Sequence, residues 1–262
     1  MKFNISKIEL FKSLSHLIGI VDKKNSLPIL SNILIEAQSN NLLLSATDMD
    51  ISIIEKLSCD VSEEGSTTVN AQILYDIIRK LEDDADVQII SNNGKLLTLR
   101  AGGSRFSLSC LDKEDFPIID KNNDGINIKI ESKILFKLID KTKFAISNEE
   151  TRYFLNGLYF NLTTQNDKTD LTLVGTDGHR LAKFNHQLKE NIDQTIGVII
   201  PKKTINEISK LLADTEHIID ITLSPSKITF LIGNLILVSK LIDGTFPDYK
   251  RVIPPDNNNT LE

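Results

Sequence analysis

Apolar residues recur at helical spacing near the start of the chain, between stretches in which apolar and polar residues alternate. Ser6 can cap a helix, with Glu9 at the spacing of a capping box. Intervals of three and four residues then predict one apolar helix face, formed by Ile8, Phe11, Leu14, Leu17 and Ile18. The chain is therefore predicted to open with a strand, Lys2–Ile5, followed by an amphipathic helix.

The alternating stretches after this helix predict three strands, and the same order of elements then returns. The strands of the first set are predicted at Leu27–Glu36, Leu42–Thr47 and Ile51–Cys59. The second set comprises strand Thr67–Asn70, helix Ala71–Leu81, and strands Val87–Ser91, Leu96–Arg100 and Arg105–Leu111, with a hairpin signal at Ser91–Lys95. Each set reads βαβββ, which predicts an α+β fold with two helices packed on antiparallel sheets in each domain.

The chain also repeats itself with a period of about 130 residues. Leu42–Asp48 matches Leu171–Asp177, and Phe106–Pro117 matches Ile236–Pro247. Two further matches keep the same order: Phe3–Leu14 with Ile126–Ile139, and Leu74–Leu81 with Thr204–Leu211. The repeat predicts a duplicated domain, with one copy at 1–120 and the other at 121–250, joined by a polar linker at Asp120–Gly125.

Charge adds an asymmetry that the apolar pattern does not show. The 262 residues carry a formal net charge of −6, which argues against a protein that binds nucleic acid over its whole surface. Yet each of the four predicted helices, taken with its flanks, carries more lysine and arginine than aspartate and glutamate. Helices favour lysine in general, but four basic helices on one surface would attract phosphates. Few aromatic residues lie between these lysines, which favours contact with the backbone of nucleic acid over sequence readout.

The sequence further predicts a reduced, cytoplasmic protein without a membrane segment. Cys59 and Cys110 have no CxxC spacing and are expected to be small core residues. The start of the chain lacks a signal-peptide pattern, and no run of about 18 apolar residues occurs.

The stretch Thr176–Leu181, TDGHRL, concentrates chemically capable side chains and has three interpretations. A metal or general-base site at Asp177 and His179 would need further ligands, and no other histidine lies at ligand spacing. A purely structural turn would use Thr-Asp and the conformational freedom of Gly178. The first repeat keeps Thr47-Asp48 but has Met49 in place of the glycine, so Gly-His-Arg is specific to the second copy. The third interpretation is a docking site. No cofactor is expected for this chain.

Several motifs together resemble the bacterial DNA polymerase III beta subunit, the family of β sliding clamps. They are LPIL (Leu27–Leu30), SRFSLS (Ser104–Ser109), RYFLNG (Arg152–Gly157), TDGHRLA (Thr176–Ala182) and SKLIDGTFPDYKRVIP (Ser239–Pro254). The resemblance implies the DNA-clamp fold and a non-catalytic processivity factor: a head-to-tail dimeric ring encircles duplex DNA, helices line the hole and sheets form the rim. A label as DNA-directed DNA polymerase would reflect membership of the holoenzyme complex.

The family has three copies of the domain, whereas two copies are present here. Residues 251–262 are expected to be a linker and the start of a third copy, with about 120 residues missing by the repeat length. The missing copy would supply half of each ring interface and part of the partner pocket, so this chain is not expected to close a ring by itself.

The resemblance also implies three sets of site residues. A hydrophobic cleft for partner peptides would comprise Leu155, Thr176, Gly178, His179, Arg180, Leu181, Pro247, Arg251 and Val252. DNA contacts would come from Lys24, Arg152, Tyr153 and Phe154, with Lys137 and Lys141 on a basic helix and its flank. The ring interface would use Ile77, Ile78, Arg105, Phe106 and Leu108.

The implied partners are double-stranded DNA without sequence preference, the polymerase III alpha subunit, the clamp loader delta subunit and other replication and repair proteins with a QLxLF-type motif. Two rival functions stay open at this point. One is a metal-dependent nuclease or hydrolase that uses Asp48, Asp177 and His179. The other is a plain repeat scaffold with no role on DNA.

Overall fold

The computed structural model describes residues 1–21, 27–92, 94–120, 124–190, 192, 194–213 and 215–254. Within these ranges lie four α-helices: α1 (Lys7–Leu17), α2 (Ala71–Lys80), α3 (Ser132–Asp140) and α4 (Lys202–Ala213). The strands of the first half are β1 (Lys2–Ser6), β2 (Asn32–Gln38), β3 (Asn41–Thr47), β4 (Ile51–Ser58), β5 (Asp60–Glu63), β6 (Gly65–Asn70), β7 (Asp86–Ser91), β8 (Leu96–Ala101) and β9 (Ser104–Ser109). Those of the second half are β10 (Ile126–Glu131), β11 (Gly157–Gln165), β12 (Lys168–Thr176), β13 (Leu181–Gln187), β14 (Ile196–Pro201), β15 (Ile218–Leu223), β16 (Lys227–Ile232) and β17 (Leu235–Lys240).

The order of elements confirms the predicted α+β fold. The second half reads βαβββ twice, and the first half differs only by the short strand β5. One predicted strand was wrong at its start: Leu27–Glu36 begins with a 3₁₀ turn, Pro28–Ser31, before β2. Proline fixes φ near −65° and lacks an amide hydrogen, so it suits the first residue of a helical turn better than a paired strand.

All strand pairs in the described chain are antiparallel, and they form three sheets. A five-stranded sheet has the order β5-β1-β7-β8-β9, an eight-stranded sheet the order β10-β15-β16-β17-β4-β3-β2-β6, and a four-stranded sheet the order β13-β12-β11-β14. The pair β17–β4 runs from Leu235↔Glu55 to Ser239↔Ile51 and joins strands of the two sequence repeats in one sheet.

The chain divides into two compact units, which do not coincide with the sequence repeat. Unit 1 comprises Met1–Lys137 and Asn206–Lys240, and unit 2 comprises Leu138–Ile205 and Leu241–Glu262. The eight- and five-stranded sheets lie in unit 1, and the four-stranded sheet lies in unit 2. The domain boundaries at residues 120 and 250 stay predictions from the repeat.

Helix α1 confirms the predicted cap but not the whole predicted face. Ser6 Oγ accepts a hydrogen bond from the amide of Glu9 at 3.3 Å and donates one to Glu9 Oε2 at 3.2 Å. The predicted burial of Ile8 is wrong, because its side chain is 61% exposed while Leu10 is fully buried. Ile8 lies on the same side of the helix as Phe11. The ring of Phe11 stacks on that of Tyr75 in α2, with 5.4 Å between the ring centroids. This side of α1 is therefore the edge of its buried face.

The two cysteines are free thiols, as the missing CxxC spacing suggested. Their predicted place in the core is wrong, since Cys59 and Cys110 are each half-buried at the residue directly after a strand. Partial burial raises the pKa of both thiols above its usual value. None of the described helices is long and apolar enough to cross a membrane.

A buried carboxylate ties α1 to the middle of the eight-stranded sheet. Glu55 of β4 is 4% exposed, and its Oε2 accepts a hydrogen bond from Ser13 Oγ at 2.7 Å. The same oxygen lies 3.0 Å from Nδ1 of His16. The buried carboxylate of Glu55 thus has polar partners in both Ser13 and His16.

We expect Glu55→Ala to lower the free energy of unfolding by about 2 kcal/mol, because Ser13 loses its acceptor and a cavity remains. Urea denaturation monitored by circular dichroism measures the change. Glu82→Ala, at an exposed residue after α2, is the matched control and is expected to change stability by less than about 0.5 kcal/mol. Equal effects of the two substitutions would contradict the structural role of Glu55.

Candidate functional site

The TDGHRL stretch forms the turn between β12 and β13 and is held by its own side chains. Asp177 Oδ1 accepts hydrogen bonds from the amides of His179 at 3.0 Å and Arg180 at 2.9 Å. Thr176 Oγ1 donates to the carbonyl of Arg180 at 2.8 Å and accepts from the amide of Gly178 at 3.1 Å. Gly178 has φ of +90°, a conformation that glycine adopts without strain. Two adjacent side chains therefore close the turn.

The carboxylate of Asp177 is ionised in the folded chain at all ordinary pH values. The backbone amides of Arg180 and His179, together with the Arg180 side chain, lower its pKa from 3.8 to about 2. Arg180 Nε donates to Asp177 Oδ2 at 2.9 Å. Because the folded-state pKa is lowered, this stabilisation is present above the unfolded pKa and is lost as the pH falls towards 2.

The first repeat contains the same turn, which identifies Thr-Asp as part of the fold. Asp48 Oδ1 accepts from the amides of Asp50 at 2.9 Å and Ile51 at 2.8 Å. Thr47 Oγ1 accepts from the amide of Met49 at 3.0 Å, and Met49 has φ of +79°. The structural interpretation of the Thr-Asp pair is thus confirmed, and the second copy is distinguished by the residues after this pair.

Among the described residues, Asp48 and Asp177 serve these turns and are not grouped with further metal ligands. The carboxylates of Asp48 and Asp177 each accept from two backbone amides. In the part of the chain that the structure describes, no group of three His, Cys, Asp or Glu side chains is placed to hold a metal ion. His179 contributes a backbone amide to the turn, and its side chain is exposed.

Beside this turn, unit 2 contains a set of apolar and aromatic residues that we call the aromatic cluster. Its buried members are Leu155, Val174, Ile199, Phe246 and Tyr249, and its partly buried members are Phe154, Tyr159, Leu181 and Ile242. The rings of Tyr159 and Phe246 stack at 4.7 Å with an angle of 6° between their planes. The amide of Ile242 donates to the carbonyl of Ile199 at 2.9 Å and so fixes the start of the segment that carries Phe246.

Some of the expected cleft residues belong to the aromatic cluster, and the others lie outside it. Leu155 and Leu181 both belong to the aromatic cluster, one buried and one partly exposed. Pro247 is exposed directly after Phe246, and Val252 is 69% exposed at the end of the 3₁₀ turn Tyr249–Val252. Thr176, Gly178 and Arg180 lie in the turn that leads into Leu181.

Sequence reasoning missed most of the aromatic cluster. Val174 and Ile199 follow alternating apolar residues on β12 and β14 but fall on the opposite face of their strands, so alternation predicts neither their burial nor their contact. Tyr159 and Phe246 are far apart in the sequence, and only the chain path after β17 puts their rings in contact. The available signal was the pair Phe246 and Tyr249, two aromatic residues at helical spacing that flank Pro247-Asp248.

The arginines near the turn are neutralised by acidic residues three positions earlier. Arg152 donates to Glu149 Oε2 through Nη2 at 2.7 Å and through Nε at 3.0 Å. Arg180 pairs with Asp177, and Arg251 pairs with Asp248, each at 2.9 Å. The surface around the turn is therefore apolar, and its three arginines are each paired with a carboxylate, so it is not a strongly basic patch.

Gly178 lets one of these arginines approach the turn. A Cβ atom on Gly178 would lie 2.5 Å from Arg152 Nη1, which is closer than any real contact of this kind. Arg152, expected to contact DNA, thus lies against the TDGHRL turn and is paired with Glu149. The first repeat has Met49 at this position. Because Gly178 has no side chain, Arg152 can approach the turn closely in the second repeat.

The other expected DNA contacts divide into exposed and packed residues. Tyr153 is 54% exposed, whereas Phe154 is partly buried against the aromatic cluster. Their contact with DNA stays a prediction. Lys137 and Lys141 are both exposed. Lys24 lies outside the described residues.

The residues expected at a ring interface lie on α2 and on the edge strand β9. Ile78 is fully buried and Leu108 is 9% exposed, so these two belong to the core of unit 1 and offer little surface. Ile77 and Phe106 are half-buried, and Arg105 is exposed. Strand β9 is paired only with β8 in the five-stranded sheet, so its other edge is open within the described chain.

Comparison with known proteins gives one consistent result. The N-terminal domain model of the DNA polymerase III beta subunit matches residues 1–120, and the central domain model matches residues 129–248. The beta sliding clamp of Caulobacter vibrioides is 44% identical over 262 residues, which span 100% of this chain and 70% of that protein. The beta sliding clamp of Vibrio cholerae is 36% identical over 263 residues with the same coverage.

Solved structures agree with these sequence matches. The sliding clamp of Bartonella birtlesii bound to griselimycin has a TM-score of 0.94 at 40% identity and covers 98% of this chain and 69% of that one. The Caulobacter crescentus beta sliding clamp, with polyethylene glycol bound to its putative beta-motif tethering region, has a TM-score of 0.93 at 43% identity with the same coverage. The chain belongs to the DNA polymerase III beta subunit family, the bacterial beta sliding clamps.

Proposed function

We propose that this chain is the clamp portion of a DNA polymerase processivity factor, which encircles duplex DNA and tethers the replicative polymerase III during DNA replication. The observation that carries the proposal is the aromatic cluster beside the TDGHRL turn, in a chain that matches two domain models of the family. Such a protein performs no chemistry of its own, and its role on replicating DNA places it in the bacterial cytoplasm.

Tethering requires a ring that holds DNA by topology rather than by tight contacts. Exposed lysines such as Lys12, Lys137 and Lys141 would make weak contacts with phosphates through water, which permit sliding. The net charge of −6 reduces non-specific adhesion of the remaining surface to DNA. A polymerase held on the ring stays at high effective concentration near the primer end, so it rebinds faster than it is lost.

The aromatic cluster is the proposed binding site for polymerases and loaders. Leu155 and Leu181 offer an apolar surface for the leucine and phenylalanine of a QLxLF-type motif, and Pro247 and Val252 form its exposed rim. The proposed ligands are the motifs of the polymerase III alpha subunit, the clamp loader delta subunit and other replication and repair proteins. His179 and Arg251 complete the set at the exposed periphery.

The head-to-tail dimer of the complete ring would use the open edge of β9. An edge strand exposes unpaired amides and carbonyls that a strand from a second chain can pair with. Arg105 and Phe106 on β9, with Ile77 on α2, offer a charge and apolar area for that contact. The buried Ile78 and Leu108 support these surface residues from within the fold.

Because the nearby arginines are already paired with acids, we expect binding of a QLxLF-type peptide to depend little on salt. The dissociation constant is expected to change by less than about twofold between roughly 0.05 M and 0.5 M NaCl. Fluorescence anisotropy of a labelled peptide measures it. A loss of affinity of about tenfold or more over this range would show that charge, and not apolar contact, drives docking.

Removing the exposed apolar rim is expected to weaken docking without unfolding the chain. The double variant Pro247→Ala/Val252→Ala should bind the peptide about tenfold more weakly, since Pro247 is exposed directly after Phe246 and Val252 is exposed at the end of the 3₁₀ turn that begins with Tyr249. Pro117→Ala is the matched control, because Pro117 occupies the position of Pro247 in the first repeat. Unchanged affinity of the double variant, or an equal loss in the control, would place the docking site elsewhere.

For DNA, the variant Lys137→Ala/Lys141→Ala is expected to reduce the salt dependence of association. The slope of log K against log salt concentration should become shallower by about 1 to 2, equally for unrelated sequences. Binding to labelled duplex DNA at low ionic strength measures the slope, with Lys168→Ala, at an exposed residue of β12, as control. An unchanged slope would favour the plain scaffold without a DNA role.

A further inference from the structure

Two strands that each end a sheet, β9 and β13, correspond to strands that are paired with each other elsewhere in the molecule. Within the described residues, β9 is paired only with β8, and β13 is paired only with β12. Each strand therefore has one edge whose backbone amides and carbonyls can pair with a further antiparallel strand. The internal duplication shows which strand fits each edge.

Strand β13 of the second repeat corresponds to β4 of the first. Each strand follows the Thr-Asp turn of its repeat and pairs with the strand before that turn. Gly175 of β12 lies opposite Ala182, and its counterpart Ala46 of β3 lies opposite Ile53. Ala182 therefore occupies the position of Ile53.

Strand β9 corresponds in the same way to β17. A two-residue turn precedes each strand and begins with a glycine of positive φ, Gly102 at +53° and Gly233 at +59°. Phe106 stands four residues after Gly102, as Leu237 stands four residues after Gly233. In the structure Phe106 therefore occupies the position of Leu237, one residue beyond the match with Ile236 in the sequence.

The counterparts β17 and β4 are joined in the eight-stranded sheet, and their pairing shows how such edges fit. Leu237 lies opposite Ile53, and both side chains are fully buried. The amide of Lys240 donates to the carbonyl of Asp50 at 2.8 Å, and the Lys240 side chain forms an ion pair with that of Asp50 at 3.1 Å. A strand of the β17 type thus pairs with a strand of the β4 type in a defined register.

We propose that β9 of one copy of this chain pairs with the open edge of β13 of a second copy, in the register of β17 on β4. Phe106 of one copy then lies opposite Ala182 of the other. A large residue meets a small one, so their summed size stays close to that of the Leu237 and Ile53 pair. Phe106 is only half-buried in the single chain, and the added strand would cover it.

The two surfaces of this contact differ, so it is heterologous and adds copies in one direction. It uses only strands of the two repeats described here. It depends neither on the proposed docking site nor on DNA, so the proposed function can hold where this pairing fails.

One pair of charges opposes the contact and limits its strength. Arg105 would lie opposite Lys183, and both side chains are exposed. The same two positions of the β17–β4 pair hold Ile236 and Ile54. Like charges directly opposite each other destabilise an antiparallel pair. We therefore expect weak self-association that becomes stronger when either charge is reversed.

Sedimentation equilibrium of the full chain over a range of concentrations tests this register. Arg105→Glu and Lys183→Glu should each raise the association constant about fivefold, because each creates an opposite-charge pair. The double variant restores a like-charge pair and should return to the value of the unmodified chain. Lys168→Glu, at an exposed residue of β12, is the matched control for net charge and should change nothing. A double variant that associates more tightly than either single one, or no association in any variant, would overturn the pairing.

Disulfide trapping tests the same contact by distance, in a chain that carries Cys59→Ser and Cys110→Ser. Residues 106 and 182 would form a pair without mutual hydrogen bonds, with Cα atoms about 4.5 Å apart, which suits a disulfide. Mixing Phe106→Cys with Ala182→Cys under mild oxidation should therefore give a covalent dimer of the two variants. His186→Cys, four residues further along β13 and about 13 Å away, is the control and should not be linked to Phe106→Cys. Equal linking of the two sites, or no linking of Ala182→Cys, would overturn the proposal.

Discussion

The arrangement of the candidate site depends on one carboxylate, that of Asp177. By accepting from two backbone amides and from Arg180, it sets the path of the chain between β12 and β13. That path determines where Leu181 enters the aromatic cluster and where Arg180 meets Phe144. Its pKa of about 2 keeps the group charged over the ordinary pH range, so the turn loses this stabilisation only as the pH falls towards 2.

The internal duplication separates the features that the fold requires from those that the site requires. Both repeats use a Thr-Asp turn with the same hydrogen bonds, which therefore carry no specific function. The second repeat differs at two glycines, Gly175 and Gly178, and each is a place where another segment approaches the backbone closely. Gly175 thus leaves room for the 3₁₀ turn Lys143–Ala145 that carries Phe144, and Gly178 leaves room for Arg152. These two close approaches distinguish the second hairpin from the first.

Local patterns in the sequence predicted the elements and the family, and long-range contacts escaped them. The cap at Ser6, the βαβββ order and the shared Thr-Asp turn arise from spacing along the chain, and the structure confirms them. The pairing of β17 with β4, the stacking of Tyr159 on Phe246 and the ion pair between Arg152 and Glu149 were not predicted. Periodicity shows that a residue is buried but not which distant residue it contacts. The sequence likewise shows where charged residues occur but not which of them form ion pairs.

The central claim is that the TDGHRL turn supports a docking site in the second repeat and only a fold element in the first. The most direct test is the affinity of a QLxLF-type peptide for Asp177→Asn compared with Asp48→Asn. Both substitutions remove the charge from the same kind of turn, so their effects on stability should be similar. The account predicts that affinity falls about tenfold in Asp177→Asn and is unchanged in Asp48→Asn. Equal affinities of the two variants would contradict it.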